Sequence, residues 1–192
     1  MMKKSIVELK TEFCQLLRSV NRPHTEKVIC ELERIGFFES PASRKDHLYE
    51  PGGLVAHSLN VYKVSLMMVA DMRRLCKGIE LSEDSCIVAS LLHDITKAGR
   101  YTKNAKGVYE KDFSVFPAGH GEASVIWLLQ QGYPLSIEEI LAIRYHMGAY
   151  HIPQNEELQT LYKEACTHYP LVPLIHAADT LASQIVETQG NL

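Results

Sequence analysis

Long apolar runs are missing from this sequence. Nowhere do about 18 uncharged apolar residues stand together, as a membrane-spanning helix requires, and the best uncharged stretch, Ala165 to Ala178, is interrupted by Pro170 and Pro173. No membrane partner is therefore expected. Cysteine is sparse as well: Cys14, Cys30, Cys76, Cys86 and Cys166 are odd in number and contain no C-x-x-C pair. That excludes a disulfide framework and a closed cysteine zinc site, leaving buried free thiols in a reducing compartment. Neither sign of charge dominates, with 20 basic residues against 23 acidic ones and a net charge of −3. Long nucleic acid and anionic membrane surfaces lose their usual electrostatic footprint, so any phosphate recognition has to be local. The opening Met1-Met2-Lys3-Lys4-Ser5-Ile6-Val7-Glu8 meets charge before an apolar region develops and does not read as a secretory signal. The expectation is one cytoplasmic domain of 192 residues, a size at which one core suffices.

What is present is helical periodicity. Ile6, Phe13, Leu16, Leu17 and Val20 mark a first helix that Asn21-Arg22-Pro23 ends. Thr25 offers a cap for a second, with Val28, Ile29, Leu32 and Ile35 on one side and Gly36 as its stop. Residues 1–36 thus read as an accessory hairpin that covers the core or forms a homo-oligomer face, and 52–187 as the core itself. Pro51-Gly52-Gly53 turns the chain into a long central helix carrying Val55, Leu59, Tyr62, Leu66 and Val69, with Val61, Met68 and Met72 on a second face. Ser82 caps the next helix, in whose last turn His93-Asp94 is expected. Between residues 100 and 115 the periodicity lapses, and Tyr101-Thr102-Lys103 with Val108-Tyr109-Glu110 reads as a small β-hairpin. Helices then follow from Gly119-His120-Gly121, from the capping box Ser136-Ile137-Glu138-Glu139 towards His146, and from Glu157 to His168. The last runs from Pro170 to Glu187, with Leu171, Leu174, Ala178, Leu181 and Ile185 as its buried stripe and Asp179 in its middle. The fold class is all-α.

Into these apolar helices the sequence sets His57, His93, Asp94, His120, His146 and Asp179. A buried imidazole or carboxylate costs free energy unless it finds a hydrogen-bond partner or a cation. Any one histidine alone is unremarkable in a core; six such residues in apolar company ask for a common cause, and neutral imidazole with carboxylate suits Mn, Fe, Ni, Co or Zn. Lys97 lies one turn past His93-Asp94, where it serves either as a helix-end lysine or as a substrate-binding cation at the candidate site. Arg100, Arg144, His151 and His176 are further substrate-binding candidates, and His176 shares a helix face with Asp179. Glu122 is a weaker acid/base candidate, and His24, His47 and His168 carry no signal.

The ordered segments Pro51-Gly52-Gly53-Leu54-Val55-Ala56-His57-Ser58, Leu91-Leu92-His93-Asp94-Ile95-Thr96-Lys97, Gly119-His120-Gly121-Glu122-Ala123-Ser124 and His176-Ala177-Ala178-Asp179 resemble the HD-domain superfamily of metal-dependent phosphohydrolases over roughly residues 52–182. The resemblance implies a helical bundle with ligands from separate helices meeting at one end of its core. It implies His57, His93, Asp94 and Asp179 as ligands of a first divalent ion. His120 and His146 look like the added ligands of binuclear members, with Asp94 bridging, Mg as a further metal option and Asp94 and Lys97 in the catalytic set. The alternative is one ion, with both histidines either supporting its ligands or contacting substrate. The reaction so implied is hydrolysis of a small phosphoester, nucleotide-like, by metal-activated hydroxide. The same ligand order also resembles di-iron oxygenases of the superfamily, which cleave a carbon bond of a polyol or phosphonate, and a third reading is a non-catalytic nucleotide-binding module.

Overall fold

The computed structural model describes residues 4–98, 101–103, 109–111, 119–148 and 155–189. Helices α1 (Ile6–Ser19) and α2 (Thr25–Arg34) lead through a 3-10 turn, Phe37–Glu39, and an irregular loop into α3 (Gly53–Leu75). Then come α4 (Glu83–Leu92), a 3-10 turn Ile95–Lys97, strands β1 (Tyr101–Lys103) and β2 (Tyr109–Lys111), α5 (His120–Gln130), α6 (Ile137–Tyr145), α7 (Glu156–His168) and α8 (Leu171–Leu181). A π-helical segment, Ala182–Val186, and a final turn α9 (Glu187–Gln189) prolong α8. The fold is the all-α bundle expected. Its hairpin pairs β1 and β2 antiparallel, Tyr101 opposite Lys111, and Val108 of the expected second strand lies outside the described residues.

Local chemistry sets most of the boundaries. Ser82 accepts from the Ser85 amide at the start of α4, and Ser136 with Glu139 forms both halves of the capping box of α6. One expected cap is displaced. Thr25 is the first helical residue of α2, the cap position falls to His24 in the left-handed region at φ 65°, and the Thr25 hydroxyl donates instead to the Arg22 carbonyl at 2.9 Å. Gly36, at φ 73°, ends α2 and throws Phe37 and Phe38 back onto Phe13. The three rings meet at centroid distances of 5.3 to 5.5 Å, contacts worth roughly 0.5–1.5 kcal/mol each beyond their burial.

α3 packs against α4 and α8, α6 against α8 and α4, and α5 against α6. Among the described residues α3 is the one helix long and apolar enough to cross a membrane; here it is the central strut, with Leu54, Val55, Leu59 and Val61 fully buried. Phe13, Leu17, Val28 and Leu32 of α1 and α2 belong to the same apolar cluster as Leu91, Leu128 and Ile175, so the opening hairpin is built into the core. A buried ion pair fastens it there. The Arg22 guanidinium grips Glu139 of α6 at 2.5 and 2.6 Å and donates to the Pro134 carbonyl at 3.0 Å, while Ser85 of α4 donates to Glu139 at 2.8 Å. Burial raises the Glu139 pKa, and the bonds from Arg22, Ser136 and Ser85 outweigh it to hold the carboxyl ionised. Arg22→Ala should therefore cost about 2 kcal/mol, since it strands a buried carboxylate while Arg22 itself keeps some water contact; an unchanged urea midpoint would contradict this.

Candidate metal centre

The start of α3, the end of α4, the start of α5, the end of α6 and the end of α8 meet at one end of the bundle. His57 comes from the second turn of α3. The sequence pattern puts His93 and Asp94 in the last turn of α4, but the helix closes at Leu92, with His93 as its C-cap. Asp94 leaves helical geometry at φ −114° and ψ 16°. This departure matters because neighbours on a regular helix point about 100° apart. Off the helix, Asp94 turns back so that its Oδ2 lies 3.3 Å from His93 Nε2.

Asp94 stands at the centre. Its Oδ2 is 3.6 Å from His57 Nε2 and 2.6 Å from the Lys97 ammonium, whereas its Oδ1 is 3.5 Å from His120 Nε2 and 3.4 Å from His146 Nε2. Asp179 Oδ1 joins the first group, 3.1 Å from His57 Nε2. His120 and His146 face each other at 3.1 Å between ring nitrogens. Their approach depends on Gly121: a Cβ there would sit 2.7 Å from the carbonyl oxygens of Ile143 and Arg144, so α5 lies directly on the α6 backbone. All six expected ligands thus converge, and His57, His93, Asp94 and His146 are no more than 1% exposed.

The donor set fits divalent cations on two observations. First, both Asp94 oxygens are buried without a well-formed hydrogen bond among the described residues, although Lys97 lies within ion-pair distance. Second, the imidazoles are oriented as ligands. His93 Nδ1 points at the Ser90 carbonyl at 2.8 Å and His146 Nδ1 at the Ile143 carbonyl at 2.7 Å. A carbonyl only accepts, so each Nδ1 carries the proton and each Nε2 presents a lone pair to the centre. Lone pairs and carboxylate oxygens crowded together need a positive charge among them.

The proton balance of these side chains by themselves shows the same demand. Burial pulls the His57 pKa down, but the bonds to Asp179 and Glu187 outweigh it and push it up to about 10. Burial pulls the His93 pKa down, and Asp94 does not make good the loss. For Asp94 burial acts upward, yet Lys97, His93 and His146 hold the carboxyl well below the usual range; for Asp179 the same contest is won by His57. The centre draws positive charge to itself.

A family model for the HD domain matches residues 54–183 of this chain. The chain belongs to the HD-domain family. Divalent-metal binding is a property of these domains, and the buried His/Asp groups of this HD domain are suited to it. The dihydroneopterin 2',3'-cyclic phosphate phosphodiesterase of Methanocaldococcus jannaschii is 33% identical over 104 residues, which cover 54% of this chain and 41% of that protein. The chain therefore matches less than half the length of that relative. No solved structure matches the chain significantly.

The other candidates fall in different places in this HD domain. Lys97 is at the centre. His176 is beside it, its Nδ1 donating to the His146 carbonyl at 2.7 Å, so it braces the α6 end. Arg144 pairs instead with Glu122 at 2.9 Å, and the two line an open pocket with Val125, Ile126 and Ile140; Glu122 is taken up the same way. Arg100 and His151 lie outside the described residues. Two residues at the centre went unread in the sequence. Glu187 Oε1 is 2.9 Å from His57 Nδ1, and His47 Nε2 is 3.6 Å from Glu187 Oε2. The signal available for the first was that a ligating histidine wants an acceptor for its other nitrogen. His47 had none, because the loop that carries it folds back through Leu48 at φ 44° and the 3.0 Å bond from the Ala42 amide to the Leu48 carbonyl.

Proposed function

We propose that the protein is a metal-dependent phosphohydrolase that cleaves a small phosphodiester, nucleotide-like in kind, at this centre. The observation that carries the reading is the position of Asp94, whose two oxygens face separate histidine groups, His57 and His93 on one side, His120 and His146 on the other. That division favours two ions with Asp94 shared, Asp179 completing the first. Bound divalent ions would supply hydroxide at neutral pH and draw charge from a phosphoryl oxygen. Mn, Fe, Co, Ni, Zn and Mg are all admissible to nitrogen and oxygen donors.

The chain's own residues supply the rest. Lys97 is mostly buried with its ammonium 2.6 Å from Asp94, and there it would hold a phosphate oxygen and offset charge that builds during cleavage. His176 fixes the end of α6 and hence the His146 ring. The name of the M. jannaschii relative points to a cyclic phosphodiester as the substrate class. Cytoplasmic localisation and a single-domain organisation belong to the same proposal.

The test is hydrolysis of bis-nitrophenyl phosphate and of 2',3'-cyclic nucleotides in the presence of each metal in turn, with oxygen uptake followed alongside. Metal-dependent ester cleavage is expected; substrate-linked oxygen consumption with an iron electronic signature would replace the hydrolase by an oxygenase. Lys97→Ala should lower kcat/KM about 10- to 100-fold, the worth of one charge-assisted contact in a dry site, with bound metal measured on the same sample.

A further inference from the structure

Glu187 lies eight residues beyond Asp179. On an uninterrupted α-helix that separation turns the side chain roughly 80° away from Asp179. The π-helical segment Ala182–Val186 lies between them. A π-bulge accommodates one extra residue, so the eight residues advance the helix face about as seven would, and Glu187 returns to within roughly 20° of Asp179. The burial pattern records this shift. Ile185, seven residues past buried Ala178 and so on the regular stripe, is 53% exposed, whereas Glu187 is buried at 6%. A helix that exposes an isoleucine to bury a glutamate is specifying a job for that glutamate.

The two carboxylates then take opposite edges of one imidazole: Asp179 Oδ1 is 3.1 Å from His57 Nε2, and Glu187 Oε1 is 2.9 Å from His57 Nδ1. Asn60, one turn on from His57, donates to the same Glu187 oxygen at 3.2 Å, and His47 approaches the other at 3.6 Å. Glu187 is thereby held from two sides, and an ionised carboxylate only accepts, so the Nδ1 proton of His57 is fixed towards it.

We infer that Glu187 is a positioning residue for the metal centre, delivered by the π-bulge, which holds His57 in the tautomer and orientation that turn its Nε2 lone pair to the cation. The inference rests on the metal-centre reading above. Orienting acceptors of this kind are worth about 10- to 100-fold in metal affinity.

Co(II) titration of the full chain, followed by its visible absorption, tests this on wild type, Glu187→Ala and Glu187→Gln, with far-UV circular dichroism recorded on each. The expected result is at least tenfold weaker Co(II) binding in Glu187→Ala and a measurable loss in Glu187→Gln, with an altered absorption band because the His57 donor has changed. The glutamine variant keeps the shape of the side chain and decides the matter if the alanine variant loses helix content. A folded variant that binds Co(II) as tightly as wild type overturns the positioning role alone. Weaker binding with an unaltered band also overturns it, making Glu187 a general support of the fold. Wild-type protein that binds no Co(II) overturns the metal centre itself.

Discussion

Asp94→Ala should lower kcat/KM for a phosphodiester by about 10³-fold or more, equivalent to about 4 kcal/mol of transition-state stabilisation, and should abolish metal retention on dialysis. Asp94 faces ligands from four separate segments at once. Its oxygens lie within 3.6 Å of four histidine nitrogens, His57, His93, His120 and His146, and within 2.6 Å of Lys97. Removing it takes away a negative charge that faces both histidine groups. Asp94→Asn separates shape from charge: the amide occupies the same space, but its nitrogen is a donor facing imidazole lone pairs, so it should fail almost as completely. Elemental analysis after dialysis and steady-state rates on the same preparations check both variants. Full turnover in Asp94→Ala would remove Asp94 from the centre of the mechanism, whatever the geometry suggests.

The parts of this centre that were legible in the sequence are those fixed by short-range rules. His57 follows a glycine turn, His93 and Asp94 follow an apolar run, and His120 stands between glycines of which one, Gly121, is needed for the close contact of α5 with α6. Each of these positions announces itself within a few residues. The illegible parts depend on events that periodicity cannot register. Extending the regular stripe of α8 to Ile185 assumes an unbroken 3.6-residue period, and the π-bulge shifts that period after Leu181, so the expected stripe fails at Ile185 and Glu187 enters unseen, while Leu181, ahead of the bulge, is 37% exposed. His47 arrives from a loop without repeat or motif. Arg144 stands two residues from His146, a spacing that on a regular helix points it elsewhere, and α6 does send it to Glu122. The end of α4 is the intermediate case: a pattern of apolar residues shows where a helix runs, not whether its last pair is still helical, and for Asp94 that one residue decides whether it reaches its neighbours.

Metal removal should destabilise the protein by an amount that grows with pH. An ion present at 1,000 times its Kd contributes about 4 kcal/mol to the folded state, and at roughly 2–4 °C per kcal/mol for a domain of this size the melting temperature should drop by about 10 °C in chelator at neutral pH. The pH dependence follows from His57. In the chelated protein its folded pKa is raised to about 10 by Asp179 and Glu187 acting against burial, so its contribution is full below the unfolded value of about 6.5 and is lost as pH rises towards 10. His93 and His47 act the other way. Burial lowers both, and for His47 the charge on His57 adds to it; below about pH 6.5 the unfolded chain takes up protons that they refuse, which costs stability as pH falls. Asp179 and Glu187, both depressed by His57 despite burial, contribute above about pH 4 and lose that contribution only in stronger acid. The cluster therefore stabilises the chelated protein most near pH 6.5. A bound ion displaces the His57 proton, so apparent affinity should rise about tenfold per pH unit between neutrality and pH 10. The gap in melting temperature between metal-loaded and chelated protein should consequently widen from pH 6 to pH 9, measured by differential scanning calorimetry in parallel buffers; a gap that stays constant across that range would mean that no proton is exchanged for the ion at His57.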